Sequence, residues 1–146
     1  MSLNFKNQTA TLKNMNFRKE AHGDEKISAI DLKINVLMSA KNLGWFHPDL
    51  EDMLFNHAHV RFPNMDAISW EGEIEHCDIL IDSIHIKDAK LKKFSMKPML
   101  DPLGARQVDT VFTVSYYPTE NNLVQLGEKV QDTITIDLDT QELIDV

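Results

Sequence analysis

The chain has a single cysteine among its 146 residues, five glycines, five prolines, and no apolar run long enough for a membrane-spanning helix. Each scarcity excludes something. One thiol, Cys77, cannot build an intramolecular disulfide framework, and its place near Ile79 and Ile81 in a β-like stretch marks it as a small buried residue of a reducing compartment. A bilayer-crossing helix needs about 18 to 20 consecutive apolar residues, and nothing here approaches that. The opening Met1-Ser2-Leu3-Asn4-Phe5-Lys6 lacks the basic-then-apolar order of a secretory signal, so no membrane partner and a cytoplasmic location are expected. Also missing are a G-x-S-x-G elbow, a phosphate-binding glycine loop, a dinucleotide fingerprint and a Cys-x-x-Cys pair, so no motif specifies a reaction or a cofactor.

What is present is a length suited to one domain, with 42% hydrophobic and 26% charged residues spread along the chain. Residues 1–146 therefore form one β-rich domain in this reading, without linker, repeat or low-complexity segment. The net charge of −8 is uneven. Residues 1–61 carry a net +1, residues 62–86 a net −6, residues 87–119 a net +3 and residues 120–146 a net −6.

Hydrophobic periodicity gives the fold class. Ile30, Leu32, Ile34, Val36 and Met38 alternate with polar residues, the period-two signature of a half-buried antiparallel strand. Upstream, Ala10 and Leu12 alternate, then Met15 and Phe17 resume out of phase, which predicts a β-bulge or break near Asn14. Ala21-His22-Gly23-Asp24-Glu25 predicts a hairpin turn. Lys41 to Phe46 is expected to be a loop. Pro48 at a first helical position, acidic residues after it, and Leu50, Met53 and Leu54 at i, i+3 and i+4 predict a short amphipathic helix plugging one end of the β structure. Between Ile74 and Met99 two or three strands are expected, with a phase slip at Asp82-Ser83. A turn follows at Asp101-Pro102-Leu103-Gly104. Val108, Thr110, Phe112, Val114 and Tyr116 form the next strand, Asn121 to Gly127 one helical turn, and Ile134, Ile136 and Leu138 a last strand. The acidic tail Asp139 to Val146 is a short edge strand or a frayed end. The sum is an antiparallel β-sandwich or open barrel of about seven to eight strands with one short inserted helix.

Three clusters carry possible chemistry. Lys87, Lys90, Lys92, Lys93 and Lys97 are the one basic cluster in an acidic chain. Lysines neutralise phosphates and an interleaved aromatic can stack a base, so this face is the nucleic-acid-binding candidate. Phe94 among them belongs with Leu91 and Met96 on the inward side, however, and is assigned to the core. Glu71, Glu73 and Glu75 share a strand face near Trp70 and are the candidate for docking a basic partner protein in imitation of a phosphate track. His57 and His59 fall on one face if their stretch is a strand, with His47 and His76 as further ligands. They are the weakest of the three, because a zinc site needs three or four converging donors. The bland alternative for each charged cluster is a solvated strand face.

The residues Ala10-Thr11-Leu12, Arg18, Glu20, His22-Gly23-Asp24-Glu25, Asp31-Leu32-Lys33, Arg61-Phe62-Pro63 and Trp70-Glu71-Gly72-Glu73, with Phe94 to Met96 leading into Val111 to Tyr116, carry a resemblance over nearly the whole chain. In these the sequence resembles an uncharacterised family of proteins encoded by tailed bacteriophages and prophages. It departs from that pattern in lacking a double glycine in the turn from Asp101 to Gly104. The resemblance assigns no catalytic residue and implies a context of DNA metabolism or interference with host defence.

The leading expectation is a non-enzymatic, phage-type accessory binding protein associated with single-stranded DNA or DNA metabolism. The second is an acidic inhibitor of a host DNA-binding or defence protein, and the third a metal-dependent enzyme around His57 and His59. The expected partners are nucleic acid or a nucleic-acid-processing protein, with a homo-oligomer through a terminal edge strand as a further option.

Overall fold

A computed structural model describes residues 3–57 and 59–140. Six long strands carry the fold: β1 (Leu3–His22), β2 (Glu25–Ser39), β5 (Ile68–Ile81), β6 (Ile84–Leu100), β7 (Arg106–Tyr116) and β8 (Thr133–Thr140). Each is antiparallel to its neighbours, and in the order β1-β2-β7-β6-β5-β8 they close into a barrel. A two-residue ribbon, β3 (Phe55–Asn56) with β4 (His59–Val60), completes eight strands. The antiparallel, mainly β class expected from periodicity is therefore the class observed. Of sandwich and barrel it is the barrel, and its sheet closes because β8 pairs with both β1 and β5.

Alternation builds the core. Ile30, Leu32, Ile34, Val36 and Met38 of β2 are buried, as are Val108, Phe112, Val114 and Tyr116 of β7 and Ile134, Ile136 and Leu138 of β8. Closure interrupts this rhythm at bulges, where one extra residue bends a strand. The slip expected near Asn14 lies between Leu12 and Asn14, opposite Ile34 and Lys33. Others occur between Phe5 and Gln8, between Ile74 and Cys77, and between Lys92 and Ser95. Several hold a non-glycine residue at positive φ: Asn7 at 48°, His76 at 59° and Lys93 at 57°. The phase slip expected at Asp82-Ser83 is the two-residue turn of the β5–β6 hairpin, with Asp82 at φ 53°.

Two helical segments leave the barrel at opposite ends. Following β2, a 3-10 turn (Ala40–Asn42) leads into α1 (Leu43–Phe46) and α2 (Leu50–Leu54). The loop expected over Lys41 to Phe46 is thus helical: Ser39 Oγ accepts from the Lys41 amide at 3.3 Å, and Leu43 is fully buried. The helix expected from Pro48 starts two residues later, because the Leu50 amide donates to the His47 carbonyl and closes a turn first. Phe46 packs edge-on against Trp70 and Phe94, with ring centroids 5.2 Å and 5.3 Å away, and Phe94 stacks on Phe112 at 5.1 Å. The insert therefore does plug an end of the barrel, through a run of rings extending to Phe5. Gly72 is required there, since a Cβ would overlap the Trp70 indole lying across it. At the other end, α3 (Glu120–Gly127) is capped by Thr119 Oγ1, which accepts from the Asn122 amide at 3.2 Å, and buries Leu126.

The β5–β6 turn is tied to the closing strand. The Asp82 amide donates to the Thr135 carbonyl at 2.7 Å, the Thr135 amide donates to Asp82 Oδ1 at 2.8 Å, and Lys129 Nζ reaches the same carboxylate at 2.7 Å. β1 pairs with β8 over Leu3 to Thr11 and with β2 over Ala10 to His22, while β8 pairs with β1 along most of its length and with β5 over Ile136 to Leu138. The acidic tail lies outside the described residues from position 141 onward. Among the described residues no helix is long and apolar enough to cross a membrane.

Phe112 is fully buried between two stacked rings. Phe112→Ala is expected to destabilise the protein by about 3 to 5 kcal/mol, read as a lowered midpoint in chemical denaturation with a little-changed slope.

Candidate functional site

Cross-strand register turns the outer wall of the barrel into rows of side chains. One row runs Asn14–Lys33–Thr113–Lys92–Glu73 across β1, β2, β7, β6 and β5. On one side of it lies Asn16–Asp31–Ser115–Lys90, and on the other Thr11–Asn35–Val111–Ser95–Ser69. Two bulges disturb the middle of this surface. In strict alternation adjacent residues point to opposite faces, but Leu91 and Phe94 are both buried, so Lys92 and Lys93 both face out. Lys13, the extra residue between Leu12 and Asn14, is likewise exposed.

The result is a groove of about 470 Å³ whose walls include Lys13, Lys33 and Lys93, with Asn14, Asn16 and Thr113 between them. Lys92 adjoins it through its pairing with Thr113. Among the described residues none of these four lysines has a carboxylate oxygen within ion-pair distance. The one carboxylate in the groove, Asp31, is already engaged by Arg18 Nε at 3.0 Å and by the Ser115 hydroxyl. Burial alone would raise its pKa, but those hydrogen bonds and the charges of Arg18 and Lys92 hold it below the ordinary value of 3.8.

The five lysines singled out in the sequence are thereby divided. All face outward, and Phe94 is buried, as its spacing indicated. Of the five only Lys93 lines the groove, and Lys92 adjoins it from the neighbouring cavity through its pairing with Thr113. Lys90 Nζ lies 3.4 Å from Glu73 and 3.5 Å from Glu75, and hydrogen bonding to Glu73 raises its pKa above the usual lysine value. Lys97 stands opposite Asp109, and Lys87 lies beyond the bulge at Asp88. The acidic cluster is divided by the same contacts. Glu71, Glu73 and Glu75 do share the outer face of β5, but two of them are paired with Lys90. Lys13 and Lys33, essential to the groove, were absent from the sequence-derived cluster because they come from strands far away in the chain.

The histidines do not assemble. Phe55–Asn56 and His59–Val60 are the two short arms of a turn, so His57 sits in the bend at φ 54° and not on one strand face with His59. The His57 carbonyl accepts from Arg106 Nε at 2.9 Å. His76 hydrogen-bonds Asp88 at 2.6 Å, a contact that raises its pKa above 6.5. Among the described residues no three His, Cys, Asp or Glu side chains converge to hold a metal ion. Cys77 is buried, and that burial pushes its thiol up to about 11, well away from a reactive thiolate.

Beside the lysine groove lies a second cavity, of about 310 Å³, lined by Arg18, Glu20, Ser115, Tyr116 and Tyr117 with β5 and β6 residues opposite. The Tyr117 hydroxyl donates to Glu20 at 2.6 Å, and its ring meets His22 edge-on at 5.8 Å. The Tyr116 hydroxyl is buried with no hydrogen-bond partner among the described residues, and burial pushes its pKa up to about 12. No protein-family model, curated protein or solved structure matches the chain.

Because Asp31 has a lowered pKa in the folded state, its contribution to stability is present above 3.8 and is lost as pH falls below that value. Thermal melts from pH 6 down to about pH 2 are therefore expected to fall steeply in the acid range. Asp31→Asn should lower stability at neutral pH by about 1 kcal/mol, partial exposure included, and make the acid limb shallower.

Proposed function

We propose that this chain is a non-enzymatic accessory binding protein that engages single-stranded nucleic acid along the outer groove of its barrel, in the cytoplasmic phage setting that the sequence resemblance implies. One observation carries the reading. Lys13, Lys33, Lys92 and Lys93, from three different strands, surround Thr113 without carboxylate partners among the described residues. In a chain of net charge −8, a local cluster of unpaired cations makes one region of the surface attractive to an anion. A row of small polar side chains between those cations suits an extended phosphate backbone, which needs charge and hydrogen-bond donors at intervals and no enclosed pocket.

Backbone conformation supports the same reading. Lysine at positive φ is uncommon and costs of order 1 kcal/mol, and the bulge that imposes it at Lys93 places a second cation next to Lys92. Bulges are a recurrent means of re-aiming a functional side chain. Docking of a basic partner protein on Glu71, Glu73 and Glu75 draws less support, since Lys90 already neutralises part of that face.

The test is fluorescence-anisotropy titration of labelled single-stranded DNA at several salt concentrations. With four lysines each displacing counterions, the slope of log affinity against log salt should lie near about −3. Lys33→Glu combined with Lys92→Glu should weaken binding by about a hundredfold or more and flatten that slope. Lys93→Gly is a cleaner probe, because glycine accepts the positive φ while removing the charge. It should keep or raise the melting temperature and weaken binding about tenfold. Lys87→Glu and Lys97→Glu should change affinity little. Absence of binding at low salt would remove the proposal.

A further inference from the structure

The cavity beside the lysine groove has features that a phosphate track does not use. At about 310 Å³ it is at the small end of ligand-binding pockets, the size for one flat ring system. Its charges are mixed: Arg18 and Lys92 face Glu20, with further opposite charges on β5 and β6. A free phosphate would meet carboxylates there, whereas a neutral ligand with both donors and acceptors on its edge would find partners of either kind. Tyr117 supplies a platform. The residue is 54% exposed, yet its ring is held at the hydroxyl by Glu20 and at its side by His22. A fixed, open aromatic ring is what a base stacks on.

Tyr116 adds an independent observation. The residue lines this cavity and is only 5% exposed, and its hydroxyl has no protein partner among the described residues. A buried hydroxyl without a partner is destabilising, so a ligand edge that reached it from the cavity would stabilise the folded state. Ser115 joins cavity and groove: it lines the cavity, while its hydroxyl donates to Asp31, which lines the groove.

We infer that this cavity takes a single unstacked nucleobase of the strand whose phosphates lie along the Lys13–Lys33–Lys92–Lys93 groove, stacked on Tyr117 and edge-bonded at Tyr116 and Glu20. The inference rests on the nucleic-acid reading above and adds base recognition to it. A mixed-sequence single strand, an abasic strand of equal length and the four free nucleosides separate the two. Anisotropy reads the strands, and NMR shifts of the Tyr117 ring read the nucleosides. The base-bearing strand should bind about tenfold tighter than the abasic one, and Tyr117→Ala should erase that ratio while leaving abasic affinity unchanged. Tyr116→Phe should raise the melting temperature by about 2 to 4 °C yet reduce the ratio severalfold, an opposition that a merely structural tyrosine would not produce. Lys93→Gly should weaken both strands equally.

Equal affinity for the two strands overturns base recognition and leaves the groove standing. Shifts at Tyr117 with nucleosides, but no binding of either strand, overturn the groove and keep the cavity. No response to any of the three overturns both.

Discussion

Six strands share one closed ladder here because a short strand near the end of the chain reaches two neighbours at once. β8 pairs with β1 from Leu3 to Thr11 and with β5 from Ile79 to Ile81, and without it each of those strands would present an unpaired row of amides and carbonyls. Closing so small a barrel forces strong coiling, and the strands meet that demand with bulges. The bulges in turn decide which residues leave the alternating pattern. Lys13 and Lys93 are both extra residues of this kind, so the groove on the outer wall is a by-product of the geometry that completes the core.

The same register sorts the charges. Lys90 lies one row from Lys92, yet it faces Glu73 and Glu75, while Lys92 stands between Thr113 and the bulged Lys93. A shift of one row thus separates a neutralised lysine from an available one. The net acidity of the chain sharpens this contrast. Asp31, held by Arg18 and Ser115, marks the boundary between the groove and the tyrosine-lined cavity.

Much of the architecture was legible in the sequence because strand periodicity is local. Ile30 to Met38 and Val108 to Tyr116 announce buried faces by alternation alone, and the slip near Asn14 announces its bulge. The helical stretch from Ala40 to Phe46 was not legible, because its rings are stabilised by Trp70 and Phe94 from distant strands. The candidate site was half legible for the same reason. A run of lysines in β6 is visible along the chain, but which of them face carboxylates depends on β5, and which gain neighbours depends on β1 and β2. Tyr117 gave no signal beyond being an aromatic next to Pro118. Its ring is held in place by Glu20 and His22 of the β1–β2 hairpin.

The position of β8 in the chain also makes closure of the barrel a long-range event. Leu3 finds its partner in Thr140, so β1 depends for that edge on a strand far along the chain. Without β8 in place the order β1-β2-β7-β6-β5 would leave β1 and β5 both open, the kind of edge to which another chain adds. Long-range closure of this sort slows folding, and the pairing of Thr133 to Thr140 with Leu3 to Thr11 is the step that removes those edges.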